Sequence, residues 1–121
     1  MPFAKTLGIR LIAAGPEGVE AEMAVRADLC TAGGVAHGGA IMALADSLGG
    51  LAAMLALPEG AKGTTTVESK TNLLGPGKAG ETLLARSAPV KTGRRLSVWK
   101  TEIAVKGGGA VALTIQTQLV L

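Results

Sequence analysis

"GGVAHGGAIMALADSLGG", residues 33–50, decides how this chain folds. His37 is the only histidine of the chain, and Asp46 is the only charge between His37 and Glu59. From Gly38 to Leu57 the run is Ala, Leu, Met, Ile and Gly with no period-two alternation and no proline until Pro58. That pattern spells a helix rather than a strand. Twenty helical residues span roughly 30 Å. The run is apolar nearly all round, which predicts a helix buried on most sides. Gly49 and Gly50 each cost a helix about 1 kcal/mol relative to alanine, so something is expected to pack very close there. A membrane-spanning helix is the alternative. Asp46 at its centre, four glycines and many alanines argue against a membrane.

On either side of this helix the pattern changes to short alternating segments. "LGIRLIAA" (7–14) reads as a short strand and "GPEG" (15–18) as a turn. In "VEAEMAVR" (19–26), Val19, Ala21, Met23 and Val25 face one way and Glu20, Glu22 and Arg26 the other, which makes a hairpin with the first strand. After the "LPEGAKG" turn come "TTTVESKTNLL" (64–74), "ETLLARSAPV" (81–90), "RRLSVWKTEIAV" (95–105) and "AVALTIQTQLVL" (110–121). In the last, Val111, Leu113, Ile115, Leu119 and Leu121 share one face, opposite Thr114, Gln116 and Gln118. Short turns favour antiparallel meander pairing. One long apolar helix and one antiparallel sheet have an obvious solution: an α+β fold in which the sheet curls around the helix.

The chain has 121 residues, of which 48% are hydrophobic and only 2% aromatic, with mean hydropathy +0.41. That length fits a single domain over residues 1–121. So much aliphatic material in a small domain points to burial against another copy, hence a homo-oligomer. The net charge of +3 suits an anionic ligand. The densest basic group, "KTGRRLSVWK" (91–100), lacks the interleaved aromatics of a nucleic-acid surface, so no nucleic acid is expected. One cysteine, Cys30, excludes an intrachain disulfide, and no cysteine–histidine set has zinc spacing, so no metal is expected. Cys30 reads as a small buried or loop residue and Trp99 as a packing residue of the sheet or an interface. "MPFAKTLGIR" lacks the apolar core of a signal peptide, and a cytoplasmic location is the default expectation.

Three residues carry the chemistry. His37 and Gly38 sit where the helix begins, where free amide N–H groups and the helix dipole favour negative charge. Glycines there let a ligand approach the backbone, which suits an oxyanion site; the plainer reading of Gly38 and Gly39 is a tight helix entry. Asp46 has no Lys or Arg anywhere on the helix to pair with. An uncompensated carboxylate in an apolar setting is a functional candidate; the alternative is a helix turn that faces solvent, with Ser47 beside it. Nine positions separate His37 from Asp46, about 13 Å along a helix. If both serve one site, two copies of the chain must build it.

"HGGAIMALADSLGG" resembles the helix motif of the hotdog-fold acyl-CoA thioesterases, in the PaaI-like (phenylacetate-type) branch. The resemblance continues through "TTVESKTNLLGPGKAGE" (65–81) and "GRRLSVWKTEI" (93–103). It implies a thioester hydrolase that turns an acyl-CoA into the free acid and coenzyme A. No separate cofactor is implied, coenzyme A being part of the substrate. The oligomer implied is at least a dimer, with a tetramer expected.

By the same resemblance, the Gly38 amide polarises the thioester carbonyl. Asp46 of the opposite subunit attacks it or activates water, and His37 positions the thioester and the loop, with Gly39 beside the substrate. Where the family often has Asn or Gln, six residues before the histidine, this chain has Thr31; where relatives often have Ser or Thr, four after the acid, it has Gly50. A further polar position falls at Thr65 or Thr66. So few polar side chains suit an apolar or aromatic acyl group. Coenzyme A would pass Leu73, Leu74, Gly75 and Pro76, with Arg94 and Arg95 near its phosphates; the plainer reading of the arginines is a solvated hairpin turn. The departures at Thr31 and Gly50 keep a second function open, an acyl-CoA-binding sensor without hydrolase activity.

Overall fold

The computed structural model describes residues 1–121. Its elements are α1 (Pro2–Leu7), β1 (Arg10–Gly15), β2 (Gly18–Ala24), α2 (Gly38–Leu55), β3 (Thr64–Leu73), β4 (Thr82–Thr92), β5 (Leu96–Val105) and β6 (Ala110–Val120), with a 3-10 turn at Ala27–Leu29. The six strands form one sheet in the order β1-β2-β4-β5-β6-β3, with every neighbouring pair antiparallel. α2 lies across one face of it, against β2, β3, β4, β5 and β6. This is the helix-on-sheet α+β architecture expected from the sequence.

The core is the seam between α2 and the sheet. Ile41, Leu44, Ala45, Leu48, Ala52 and Ala53 of α2 meet Val19, Met23, Leu83, Trp99 and Ile103, all buried. Each large aliphatic side chain so buried contributes about 1.5–3 kcal/mol. The alternation read in β2 holds: Val19, Ala21, Met23 and Val25 are buried and the glutamates between them are not. Trp99 is a sheet residue under the helix, its indole N–H donating to Ser97 Oγ at 2.8 Å. Cys30 is a half-buried loop residue whose Sγ donates to the Arg26 carbonyl.

Four expectations change. Residues 7–14 are not one strand: Pro2–Leu7 is helical, Gly8 closes it in the left-handed region at φ 76°, and the strand starts at Arg10. A six-residue helix has no readable period and is held by packing, here of Ala4 and Leu7. Its punctuation, Pro at the start and Gly past the end, was the available signal.

Second, the strands are not a simple meander. β4, β5 and β6 follow one another, but β3 crosses to the far edge and pairs with β6, leaving β4 beside β2. The chain between Leu73 and Thr82 is a crossover, not a hairpin turn.

Third, α2 is not buried on most sides within one chain. Gly39, Met42, Asp46, Met54 and Leu55 are exposed. The helix is long and apolar enough to cross a membrane by length and composition, yet its inner face is the core of the sheet.

Fourth, β6 turns its polar face inward. Thr114, Gln116 and Gln118 are at most 1% exposed, while Leu119 on the other face is 40% exposed. Gln116 lies under α2 against Gly49, where a Cβ would overlap its carboxamide. This is the close approach that the glycine pair predicts. The Gln116 amide and the hydroxyls of Ser87 and Thr101 have no hydrogen-bond partner.

Candidate active site at the start of the long helix

The loop before α2 is tied down on both sides. The His37 N–H donates to the Leu29 carbonyl at 2.8 Å, and the Ala36 N–H donates to the Gly77 carbonyl at 2.7 Å. His37 is thereby held extended, at φ −62° and ψ 136°, as the N-cap of α2. Its Nδ1 accepts the Gly39 N–H at 2.8 Å, so the neutral ring carries its proton on Nε2. Its carbonyl accepts the Ala40 and Ile41 N–H groups at 2.9 and 3.1 Å.

One amide of the first turn is left over. The Gly38 N–H has no acceptor, its would-be helical partner lying in the loop. Any side chain at Gly38 would press on Leu73, a Cβ standing 3.0 Å from Leu73 Cδ1. Leu73 and Leu74 are more than half exposed. The Leu74 N–H holds the Val111 carbonyl at 2.8 Å, and the backbone at Gly75 runs so close to the Ala110 carbonyl that no Cβ fits. The segment from Leu73 to Pro76, to which the resemblance assigns the pantetheine arm, thus begins against Gly38.

Asp46 is exposed and forms no ion pair. In a single chain it faces outward, as in the solvent-facing alternative. Gly39, Asp46 and Gly50 follow at helical spacing along the open stripe of α2, and nothing lies within 4 Å of where a Gly50 Cβ would be. Eight residues from Gly38 to Asp46 correspond to about 12 Å. One chain does not bring them together.

The other predicted residues divide by position. Thr31 is exposed in the loop and its Oγ1 accepts the Gly33 N–H at 3.3 Å, which leaves its own O–H free to donate. Thr65 and Thr66 pair with Leu119 and Gln118. Thr66 shares the inner face with Gln118, whose Nε2 donates to Thr66 Oγ1 at 2.6 Å, while Thr65 points with Leu119 to the outer face. Both lie at the end of β3 away from Leu73. Arg94 lines a surface hollow with Pro58, Glu59 and Leu121 beyond the C-terminal end of α2, and the Arg95 carbonyl accepts the Val120 N–H there. Gly38 and the two arginines are thus at opposite ends of an 18-residue helix, about 27 Å long. Nowhere do three His, Cys, Asp or Glu side chains converge to hold a metal ion.

One feature was not read from the sequence. α1 lies along the first half of α2, and Phe3, Leu7, Leu29, Ala40 and Ala43 line a cleft of about 260 Å³ that reaches His37 and Gly39.

Comparison with known proteins bears on family and fold. Residues 33–112 match the family model described as the Thioesterase superfamily. A Haemophilus influenzae thioesterase structure is similar at TM-score 0.90 and 32% identity, covering 98% of this chain and 82% of that one. The phenylacetic acid degradation protein PaaI of Thermus thermophilus, solved as a point mutant, is similar at TM-score 0.91 and 30% identity over 100% of both chains. A Streptococcus mutans protein solved with acetyl-CoA bound is similar at TM-score 0.86 and 26% identity, covering 93% of this chain and 88% of that one.

Proposed function

The chain belongs to the thioesterase superfamily, as a hotdog-fold thioester hydrolase of the PaaI-like kind, and from that premise we propose that it hydrolyses an acyl-CoA at a site shared between two copies. The observation that carries this reading is the Gly38 amide, the one donor of the first turn of α2 left without an acceptor. It is aimed outward at a helix N-terminus, where a developing oxyanion is stabilised by both the hydrogen bond and the dipole. The His37 cap holds that turn rigid.

Three separations support the second copy. Asp46, Thr66 and the arginines all lie too far along their elements to serve the Gly38 of their own chain. β3 is an edge strand with one side unpaired, which invites pairing with another strand. Two β3 strands meeting antiparallel about a two-fold near Ser69 bring Thr66 of one copy toward Leu73 of the other. The open stripes of the two α2 helices then face each other and carry Asp46 toward the partner's Gly38. Arg94 and Arg95 arrive at the same end, in reach of the coenzyme A phosphates. Further association of such dimers into a tetramer, and action in the cytoplasm, belong to the same proposal.

In the reaction, the Asp46 carboxylate either takes a proton from a water that attacks the carbonyl carbon or attacks that carbon itself. Negative charge collects on the carbonyl oxygen at the Gly38 N–H. The C–S bond then breaks, the sulfur leaves as the coenzyme A thiolate or thiol, and the acid is released; an acyl-carboxylate intermediate, if formed, is cleaved by water. The scarcity of polar side chains around the site suits an aromatic or medium-chain acyl group.

A non-hydrolytic acyl-CoA sensor is the second reading, kept open by Thr31, which offers a short hydroxyl in place of the side-chain amide that the resemblance leads one to expect. Thiol release from a panel of acyl-CoAs separates the two. Release that disappears in Asp46→Asn supports the hydrolase; binding without release supports the sensor.

A further inference from the structure

We infer that α1 decides which acyl group is accepted, with Phe3 as the wall of the acyl subsite. The inference rests on the thioester hydrolase reading above and concerns the substrate side of that same site.

A single exposed apolar side chain needs no explanation. Phe3 differs in where it stands. It is the only phenylalanine of the chain, it is 61% exposed, and it looks across a cleft at His37 and Gly39. The element that carries it is fixed. Ala4 and Leu7 are buried, Gly8 caps the helix, and Arg26 Nη2 donates to the Thr6 carbonyl at 3.0 Å. Arg26 also holds Asp28, the one acid on the cleft rim, at 3.0 Å, so the lining away from His37 is otherwise apolar. Alanines at 40 and 43 keep the α2 side of the cleft open.

A thioester has two arms that diverge from the carbonyl carbon. Leu73 stands against Gly38 and takes no part in the cleft, whose α2 wall is Gly39, Ala40 and Ala43. With the sulfur arm on the Leu73 side, the acyl arm enters the cleft. At about 260 Å³, the cleft falls below the ~300–1,000 Å³ of ordinary ligand sites. It has room for a ring or a medium chain.

The test compares kcat/KM for acetyl-, butyryl-, phenylacetyl- and octanoyl-CoA in the wild type, in Phe3→Ala and in Ala43→Leu. Acetyl has nothing beyond its methyl group to fill the cleft, so its value is expected to stay within about twofold, while phenylacetyl and octanoyl fall about tenfold or more when the wall is removed or the cleft filled. If Phe3→Ala loosens α1, seen as a lower Tm, Ala43→Leu on α2 decides. Equal losses on all four substrates, or none, overturn the assignment of α1. A wild-type protein that releases thiol from none of them overturns the hydrolase reading itself, and this inference with it.

Discussion

His37 Nδ1 accepts the Gly39 N–H at 2.8 Å, and the Gly38 N–H between these two residues is left free. The histidine is therefore a cap. It takes up one of the two orphan amides at the helix entrance and so leaves a single, fixed donor at the other. The cap also explains why a histidine can sit here with its ring exposed and still matter to the backbone beside it.

That arrangement predicts a sharp contrast at position 38. Gly38→Ala and Gly38→Pro both add a Cβ against Leu73, but only proline removes the N–H. Proline is tolerated at the first helical position, and His37 already has the extended backbone that a following proline requires. Gly38→Pro is expected to keep its fold and lose about 10²–10³ in kcat, with Gly38→Ala much closer to wild type. Circular dichroism and steady-state kinetics on both variants check this; equal activity in the two removes the amide from the mechanism.

The shared site predicts complementation. Asp46→Asn and Gly38→Pro are each expected to be inactive and folded. Mixed and allowed to exchange subunits, they form heterodimers with one doubly damaged site and one intact site. Activity should return to roughly a quarter of wild type at random exchange. A mixture as inactive as its parents would place Gly38 and Asp46 of one chain in one site.

Capping itself is measurable. His37→Ala is expected to destabilise the protein by about 1 kcal/mol, and His37→Asn, which can still accept the Gly39 N–H, by less. Urea denaturation resolves the difference. Equal losses would mean the cap adds nothing to stability.

The fit of Gly49 on Gln116 predicts non-additivity. Gly49→Ala drives a methyl into the buried carboxamide and is expected to cost about 1–3 kcal/mol. Gln116→Ala in the same chain removes the clash, so the double variant loses less than the sum of the single ones. Gln116→Met keeps the length of the side chain while deleting an amide that has no partner, and is expected to raise stability by about 1 kcal/mol.

Arg94→Ala and Arg95→Ala are expected to raise KM a few-fold each for acyl-CoA, about 0.5–1 kcal/mol, and less at high salt. The same acyl group carried on pantetheine alone, without phosphates, should show no change. A matching rise for both substrates would return the arginines to a solvated hairpin turn.

Much of this was legible before any coordinates. α2 declared itself through an unbroken apolar run and β2 through alternation, and the helical rise alone already kept His37 and Asp46 of one chain apart. What stayed hidden depends on partners distant in sequence. Thr64–Leu73 carries no sign that it skips its neighbour and pairs with β6. α1 is too short to show a period, and so the cleft under Phe3 was missed with it. The inward turn of Gln116 contradicts hydropathy and makes sense only beside Gly49 on another element. The site residues were named largely by resemblance; the free amide at Gly38 and the bond that Thr31 Oγ1 accepts from Gly33 are properties of the folded chain alone.

The buried amides of β6 have a bearing on how the chain reaches its fold. A slip of one residue in the pairing of β6 would turn Leu113, Ile115 and Leu119 inward and expose Gln116 and Gln118. Counted by hydropathy alone, that misthreaded strand is the more comfortable one. The notch at Gly49 accepts a side chain from β6 in one alignment, and Gln118 finds Thr66 in that alignment. Local fit, rather than greasiness, proofreads the pairing of β6.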